Sequence, residues 1–172
     1  MTDHQRYDTI GGVNSKIITP NLNNLAGDSL FFENGYCSNP SCVPSRAAIM
    51  TGKYPSQCQV PTYISYLPAE EKTFMKRLQE NGYYTAVVGK QHFAQSQIDK
   101  GYDYELIIDA HNPGASKEAV GVYGDYLKEQ GLEPKKMYQK TLISGGTWKT
   151  DVKHHIDNFI GEKGKEWLEN RL

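Results

Sequence analysis

The most informative stretch of the sequence is Asn39-Pro40-Ser41-Cys42-Val43-Pro44-Ser45-Arg46, which leads into Met50-Thr51-Gly52. Its first residues have turn chemistry, and a helix is predicted to begin near Pro44 and to end at Gly52. Cys42 therefore precedes a helix N-terminus, where unpaired N–H groups and the helix dipole stabilise an anion. Arg46 returns to the same face one turn later. The Cys-x5-Arg spacing of a cysteine phosphatase does not fit, because Ala48 stands where that arginine would be.

The segments around this stretch predict a layered α/β fold. A helix followed by glycine and then a strand is a half-turn of such a fold. The predicted elements are, in chain order, a helix beginning at Pro20 with Leu22, Leu25 and Ala26 on its apolar face, a strand over 30–37, the helix that starts near Pro44, a helix from Phe74 to Asn81 capped by Thr73, a strand over 83–88 ending at Gly89, and helices over 117–130 and 150–160.

Composition excludes several partners. The chain has 172 residues, which suggests one domain, and 19 Lys+Arg against 20 Asp+Glu give a net charge of −1. That balance favours neither nucleic acid nor an acidic membrane surface as a partner. No window approaches the ~18 consecutive apolar residues of a membrane helix, and the polar N-terminus does not resemble a signal peptide, so a cytoplasmic location is expected for the sequence as given. The three cysteines form no Cys-x-x-Cys pair, and Cys37 and Cys58 are interpreted as structural.

The Cys-x-Pro-Ser-Arg spacing followed by Thr51-Gly52 resembles the sulfatase family of the alkaline phosphatase superfamily. The resemblance implies that a separate maturation enzyme oxidises Cys42 to formylglycine, whose hydrate is the nucleophile. One hydroxyl of that hydrate attacks sulfur, and the other expels sulfate as the aldehyde forms again. Val43 departs from the pattern, since small residues are usual there.

A second segment, from Gly82 to His92, resembles the signature of this family that usually ends in Gly-Lys-Trp-His, with Gln91 at the position of Trp. The resemblance implies that Lys90 neutralises a sulfate oxygen. It also implies that His92 holds the hydroxyl of the nucleophile or transfers protons. On an extended segment, residues 90 and 92 would lie on one side.

A third similarity concerns a divalent cation. Asp3 matches the first residue of the acidic pair with which sulfatases bind metal, and His4 stands at the second. The implied ligands are therefore Asp3, Cys42 and His4, with Ca²⁺ as the expected ion and Mg²⁺ or Mn²⁺ as alternatives. Beyond residue 93 the resemblance is faint. The nearest candidate for a further acidic pair, Ile107-Ile108-Asp109-Ala110-His111, lacks the right neighbour.

The resemblance implies a sulfatase-like layered α/β domain that is incomplete, with residues 1–172 as the N-terminal part and the first strand and the C-terminal part absent. The implied reaction is hydrolysis of a sulfate ester or sulfamate, in a small molecule or saccharide, with Cys42 as nucleophile, Arg46 and Lys90 as positioning cations and His92 as proton carrier. A phosphonate monoester or phosphodiester hydrolase is an alternative, because it shares the nucleophile motif.

Another alternative is a non-catalytic remnant that only binds ligands or partners. An incomplete sheet exposes apolar surface and strand edges, so self-association is expected. Weak metal binding and no unaided turnover are expected of this chain. Members of the family are often periplasmic, secreted or lysosomal.

Overall fold

The computed structural model describes residues 1–94, 98–109, 121–140 and 146–171. Its elements are the helices α1 (Pro20–Gly27), α2 (Cys42–Thr51), α3 (Phe74–Glu80), α4 (Val122–Glu129), α5 (Pro134–Met137) and α6 (Ile156–Glu169), and the strands β1 (Ala86–Gly89), β2 (Tyr104–Ile107), β3 (Tyr138–Lys140) and β4 (Gly146–Trp148). Two 3₁₀ turns cover Tyr7–Thr9 and Val152–His154. Within the described ranges, no helix has the length and apolar character needed to cross a membrane.

The centre of the fold is the parallel pair β1 and β2, in which Ala86 lies opposite Tyr104 and Gly89 opposite Ile107. The backbone N–H of Ile108 extends this pairing by donating to the carbonyl of Gly89 at 3.0 Å. The second sheet is the antiparallel hairpin of β3 and β4. The predicted α/β class is therefore confirmed as a mixed domain with a small, open sheet.

The helix α3 is fixed at its start by Thr73, as the sequence predicts. The Thr73 hydroxyl oxygen accepts from the backbone N–H of Lys76 at 3.0 Å and donates to the carbonyl of Lys100 at 2.6 Å. The same side chain therefore caps the helix and ties it to the segment that enters β2.

Two hydrophobic clusters support the sheet. The first surrounds α2 and consists of Val43, Ala47, Met50, Cys58, Val60, Leu67, Phe93 and Ala94. The second joins α4, α5 and α6 to the end of β2 and consists of Ile108, Tyr123, Leu127, Met137 and Phe159. Burial of apolar area in the first cluster fixes α2, and with it the position of Cys42. Cys37 and Cys58 carry free thiols.

The prediction of a strand over 30–37 is wrong. This segment has no regular secondary structure, and it exposes 71% of Phe32 and 91% of Tyr36. A strand forms only where its N–H and C=O groups pair with a neighbour, and among the described residues β1 pairs with β2 alone. The predicted apolar face of α1 is also exposed, since none of its residues is buried.

Two helices begin at residues different from the predicted ones. α2 begins at Cys42 rather than near Pro44, because Pro is well suited to the first helical turn without having to be its first residue. α6 begins at Ile156, because the ring nitrogen of His155 caps the helix by accepting from the N–H of Asp157. The helix continues through Gly161 and Gly164. The helix predicted over 117–130 is observed as α4, and residues 117–120 lie outside the described ranges.

We expect Gly101→Ala to destabilise the fold far more than Gly82→Ala. Both glycines have positive φ, of 82° and 84°, so either alanine costs about 1–2 kcal/mol in backbone strain. Only at Gly101 would the new Cβ meet backbone, at 2.2 Å from the Cα of Lys76, whereas nothing lies within 4 Å at Gly82. Thermal unfolding should show roughly 1–3 kcal/mol of additional loss for Gly101→Ala, and equal losses would contradict the close packing of α3 on this turn.

Candidate functional site

Cys42 is the first residue of α2. Ser41 precedes it in an extended conformation and makes no side-chain cap, while its N–H donates to the Asn39 side-chain oxygen at 2.8 Å. The first N–H groups of a helix have no partner inside the helix. The structure therefore places Cys42 at the electropositive helix end that the sequence predicts for it.

Three charged side chains from distant parts of the chain meet beside α2. The guanidinium of Arg46 donates to Asp3 Oδ1 at 3.2 Å, and the ammonium of Lys90 donates to Asp3 Oδ2 at 3.0 Å. Arg46 also donates from Nη1 to the carbonyl oxygen of Lys90 at 2.8 Å. Asp3, Arg46 and Lys90 thus form a closed cluster, which we call the charged triangle.

Burial strengthens the ionic interactions within the charged triangle. The side chain of Arg46 is only 6% exposed and that of Lys90 19%, against 42% for Asp3. Burial by itself raises the pKa of the Asp3 carboxyl, but the hydrogen bonds from Lys90 and Arg46 outweigh burial and hold this pKa below its usual range. The carboxylate is therefore the counter-charge for two cations, one of which is almost out of water.

Two cavities meet at the charged triangle. Cys42, His4, Asn39 and Ser45 line a cavity of about 250 Å³ together with Asp3 and Arg46. Lys90 lines a larger cavity of about 840 Å³, again with Asp3 and Arg46, whose remaining wall is mostly apolar and includes Met50, Phe74, Phe93 and residues of β1. Asp3 and Arg46 belong to both walls, so they lie between the Cys42 side and the Lys90 side of the site.

His92 lies apart from this cluster. The strand β1 ends at Gly89, and His92 has a positive φ of 49°, so His92 itself is not in an extended conformation. The His92 ring packs edge-to-face against Tyr63, with 5.5 Å between ring centroids. The described residues that line the two cavities do not include His92.

The described residues alone do not fit a divalent cation. Within 1–94, 98–109, 121–140 and 146–171, no three His, Cys, Asp or Glu side chains are grouped closely enough to hold a metal. Both oxygens of Asp3 already accept from cations, and a calcium ion takes about six to eight oxygens. Asp3, His4 and Cys42 share a cavity, but they do not constitute a metal centre by themselves.

The sequence interpretation missed the role of Asp109. This residue belongs to the stretch that was considered for an acidic pair, and its carboxylate instead accepts from the backbone N–H groups of Gln91 and His92 at 2.6 and 3.1 Å. The sequence analysis predicts no strand at 104–107, so it gives no signal that Asp109 follows a strand parallel to β1. Ala110 and His111, from the same stretch, lie outside the described residues.

Comparison with known proteins identifies the class of this fold. A solved phosphonate monoester hydrolase of Agrobacterium radiobacter superposes with a TM-score of 0.76 at 17% identity, covering 97% of this chain and 36% of that one, which shows a shared fold. A second solved structure, described as Ps i-CgsB, has a TM-score of 0.66 at 28% identity and covers 98% of this chain and 40% of that one. The fold is therefore that of alkaline-phosphatase-like hydrolases.

The sequence comparisons identify one family within this fold class. The sequence model of the sulfatase family matches residues 1–169, and the chain belongs to this family. An N-acetylglucosamine-6-O-sulfatase of Bacteroides thetaiotaomicron is 32% identical over 99% of this chain and 27% of its own length. The resemblance found from the sequence is confirmed, and it extends well past residue 93. The chain spans about a quarter of the length of this relative.

The charged triangle predicts a titration that can be measured. Lys90→Met should raise the pKa of Asp3 towards the ordinary value of about 3.9, because it removes one of the two hydrogen-bonding cations. A carboxyl with a lowered folded-state pKa contributes stability that is present above its unfolded pKa and is lost as pH falls through the folded pKa. ¹³C NMR titration of the Asp3 carboxyl measures the shift directly. Lys128→Met, at an exposed pair on α4, is the control, and an unchanged Asp3 pKa in Lys90→Met would contradict the contact.

Proposed function

We propose that this chain carries the nucleophile and the anion-binding cations of a sulfate-ester hydrolase. The observation that carries the proposal is the convergence of Arg46 and Lys90 on one carboxylate beside Cys42, in a chain of the sulfatase family. A sulfate group carries its negative charge on terminal oxygens. Two cations and a helix N-terminus match that charge.

The proposed nucleophile is Cys42 after oxidation to formylglycine by a separate maturation enzyme. The hydrated aldehyde has two hydroxyls on one carbon. One attacks sulfur and displaces the substrate alcohol as the S–O bond to that alcohol breaks. The other then loses its proton, and sulfate leaves as the aldehyde forms again. The position of Cys42 supports this role, because the N-terminal N–H groups of α2 stabilise negative charge on an oxygen at this residue.

Lys90 and Arg46 have different roles in this proposal. Lys90 ends in a mobile point charge that can exchange the Asp3 carboxylate for a sulfate oxygen. Arg46 is nearly buried and holds the carbonyl oxygen of Lys90, so it fixes the backbone from which Lys90 extends. His92, two residues further on, is proposed as the proton carrier. Ca²⁺, Mg²⁺ or Mn²⁺ belongs to the proposal only with ligands beyond Asp3, His4 and Cys42, and no step is assigned to it.

The proposed substrate class is a sulfated saccharide. The name of the Bacteroides thetaiotaomicron relative, an N-acetylglucosamine-6-O-sulfatase, supports this class. A phosphonate monoester or phosphodiester is the second candidate, since the nucleophile motif suits either reaction. Turnover of an aryl sulfate, compared with turnover of an aryl phosphodiester, decides between them in a matured protein that covers the full length of the sulfatase relatives, because no unaided turnover is expected of these 172 residues. In that longer protein, turnover of neither compound would favour the binding-only alternative.

Maturation is predicted at Cys42 alone. When the chain is co-expressed with a maturation enzyme, mass spectrometry of the tryptic peptide Ile17–Arg46 should show loss of the thiol and gain of an aldehyde. The same peptide contains Cys37, which is exposed and should stay a thiol, so it is an internal control. Fragment ions separate the two positions. A thiol retained at Cys42 under these conditions would contradict the proposed nucleophile.

Anion binding is predicted to depend on Lys90. Inorganic sulfate should bind the chain, and Lys90→Ala should weaken its affinity about 10-fold or more, because a hydrogen bond to a charged group contributes roughly 1.5–3 kcal/mol. Isothermal titration calorimetry with sodium sulfate measures this affinity. Lys128→Ala removes an equally long cation from an exposed pair with Asp125 and should leave the affinity unchanged. Equal effects of the two variants would indicate screening of net charge instead of a site.

A further inference from the structure

The backbone that presents Lys90 and His92 is held by side chains rather than by a neighbouring strand. β1 ends at Gly89, and the next three residues, which we call the 90–92 segment, have no regular secondary structure. Arg46 donates to the carbonyl of Lys90 in this segment at 2.8 Å. The two carboxylate oxygens of Asp109 accept separately from the N–H groups of Gln91 and His92, at 2.6 and 3.1 Å.

The conformation of the 90–92 segment requires these side-chain hydrogen bonds. His92 has a φ of 49°, in the left-handed region that residues other than glycine rarely adopt. A single carboxylate that binds two successive N–H groups favours the backbone direction in which both donors face one side. Gln91, between Lys90 and His92, is buried, so its N–H could not be satisfied by bulk water.

The parallel strand pair places Asp109 beside the 90–92 segment. β2 ends at Ile107, and the N–H of Ile108 still donates to the carbonyl of Gly89 at 3.0 Å. The chain at Asp109 therefore runs alongside the residues that follow β1. The two strands bring an acidic side chain to the backbone of a segment 17 to 18 residues away in sequence.

The opposite end of the strand pair contains a matched contact. Asp103, just before β2, accepts from the N–H of Thr85 at 2.8 Å and from its hydroxyl at 3.0 Å, just before β1 begins. The two aspartates share their chemistry and their relation to the sheet. They differ in what they hold, since only Asp109 contacts the segment of Lys90 and His92.

We propose that Asp109 is a positioning residue of the active site, which fixes the 90–92 segment through the N–H groups of Gln91 and His92 and thereby sets the places of Lys90 and His92. This inference rests on the proposed function, because in that function the 90–92 segment presents the residues that bind the sulfate group. Asp109 itself neither contacts the substrate nor exchanges a proton.

The test compares Asp109→Asn with Asp103→Asn. Asparagine keeps the shape of the side chain but replaces one acceptor oxygen with a donor, which then faces an N–H group. Amide hydrogen exchange followed by NMR should be at least about 10-fold faster at Gln91 and His92 in Asp109→Asn, since a charged acceptor contributes more than 1.4 kcal/mol. Sulfate affinity, measured with sodium sulfate, should fall about 5-fold or more. Asp103→Asn should leave both quantities unchanged.

A second variant covers the case in which Asp109→Asn does not fold. Asp109→Glu keeps both acceptor oxygens on a longer side chain, and it should restore part of the amide protection and part of the sulfate affinity. Sulfate affinity that stays at the level of the unsubstituted chain in both Asp109 variants overturns the positioning role.

Lys90→Ala separates the two claims. Loss of sulfate affinity in Lys90→Ala with none in Asp109→Asn overturns the role of Asp109 and leaves the proposed function standing. Unchanged affinity in Lys90→Ala overturns the proposed function, and the positioning role with it, whatever the exchange rates show.

Discussion

The buried guanidinium of Arg46 imposes the main constraint on the site. A charge removed from water needs a counter-charge and filled hydrogen bonds, or its burial is strongly unfavourable. Arg46 meets this need with Asp3 and with the carbonyl of Lys90, which are 43 and 44 residues away in the sequence. The compensation of one charge therefore brings together the N-terminal segment, the helix of Cys42 and the end of β1.

In the proposed function, this arrangement forms the anion-binding site of a chain that belongs to the sulfatase family. The apolar cluster around α2 fixes the helix from one side, and α6 approaches β1 closely enough that a Cβ on Gly89 would lie 3.0 Å from Ile160. Between these supports, Asp3 takes the position of an anion between two cations. In the proposed function the sulfate group of a substrate replaces that carboxylate at Lys90, while Arg46 keeps its contact with the backbone.

Local sequence signals predicted those features that depend on local physics. Thr73 caps α3 as expected, and Cys42 lies at a helix N-terminus because the turn residues and Pro44 favour a helix start there. The strand over 30–37 was wrong because strand formation depends on a partner that the segment itself does not determine.

The conformation of His92 could not be predicted either, since the carboxylate that holds its N–H lies 17 residues away. The family resemblance implies that Asp3 is a metal ligand, and it gives no sign of the contacts of Asp3 with Arg46 and Lys90. Crystallography of the matured chain with inorganic sulfate tests the account most directly. We predict sulfate in contact with Lys90 Nζ and beside residue 42, with the Asp3 carboxylate displaced from Lys90. An unbroken contact between Asp3 and Lys90, with sulfate bound elsewhere, would contradict the account.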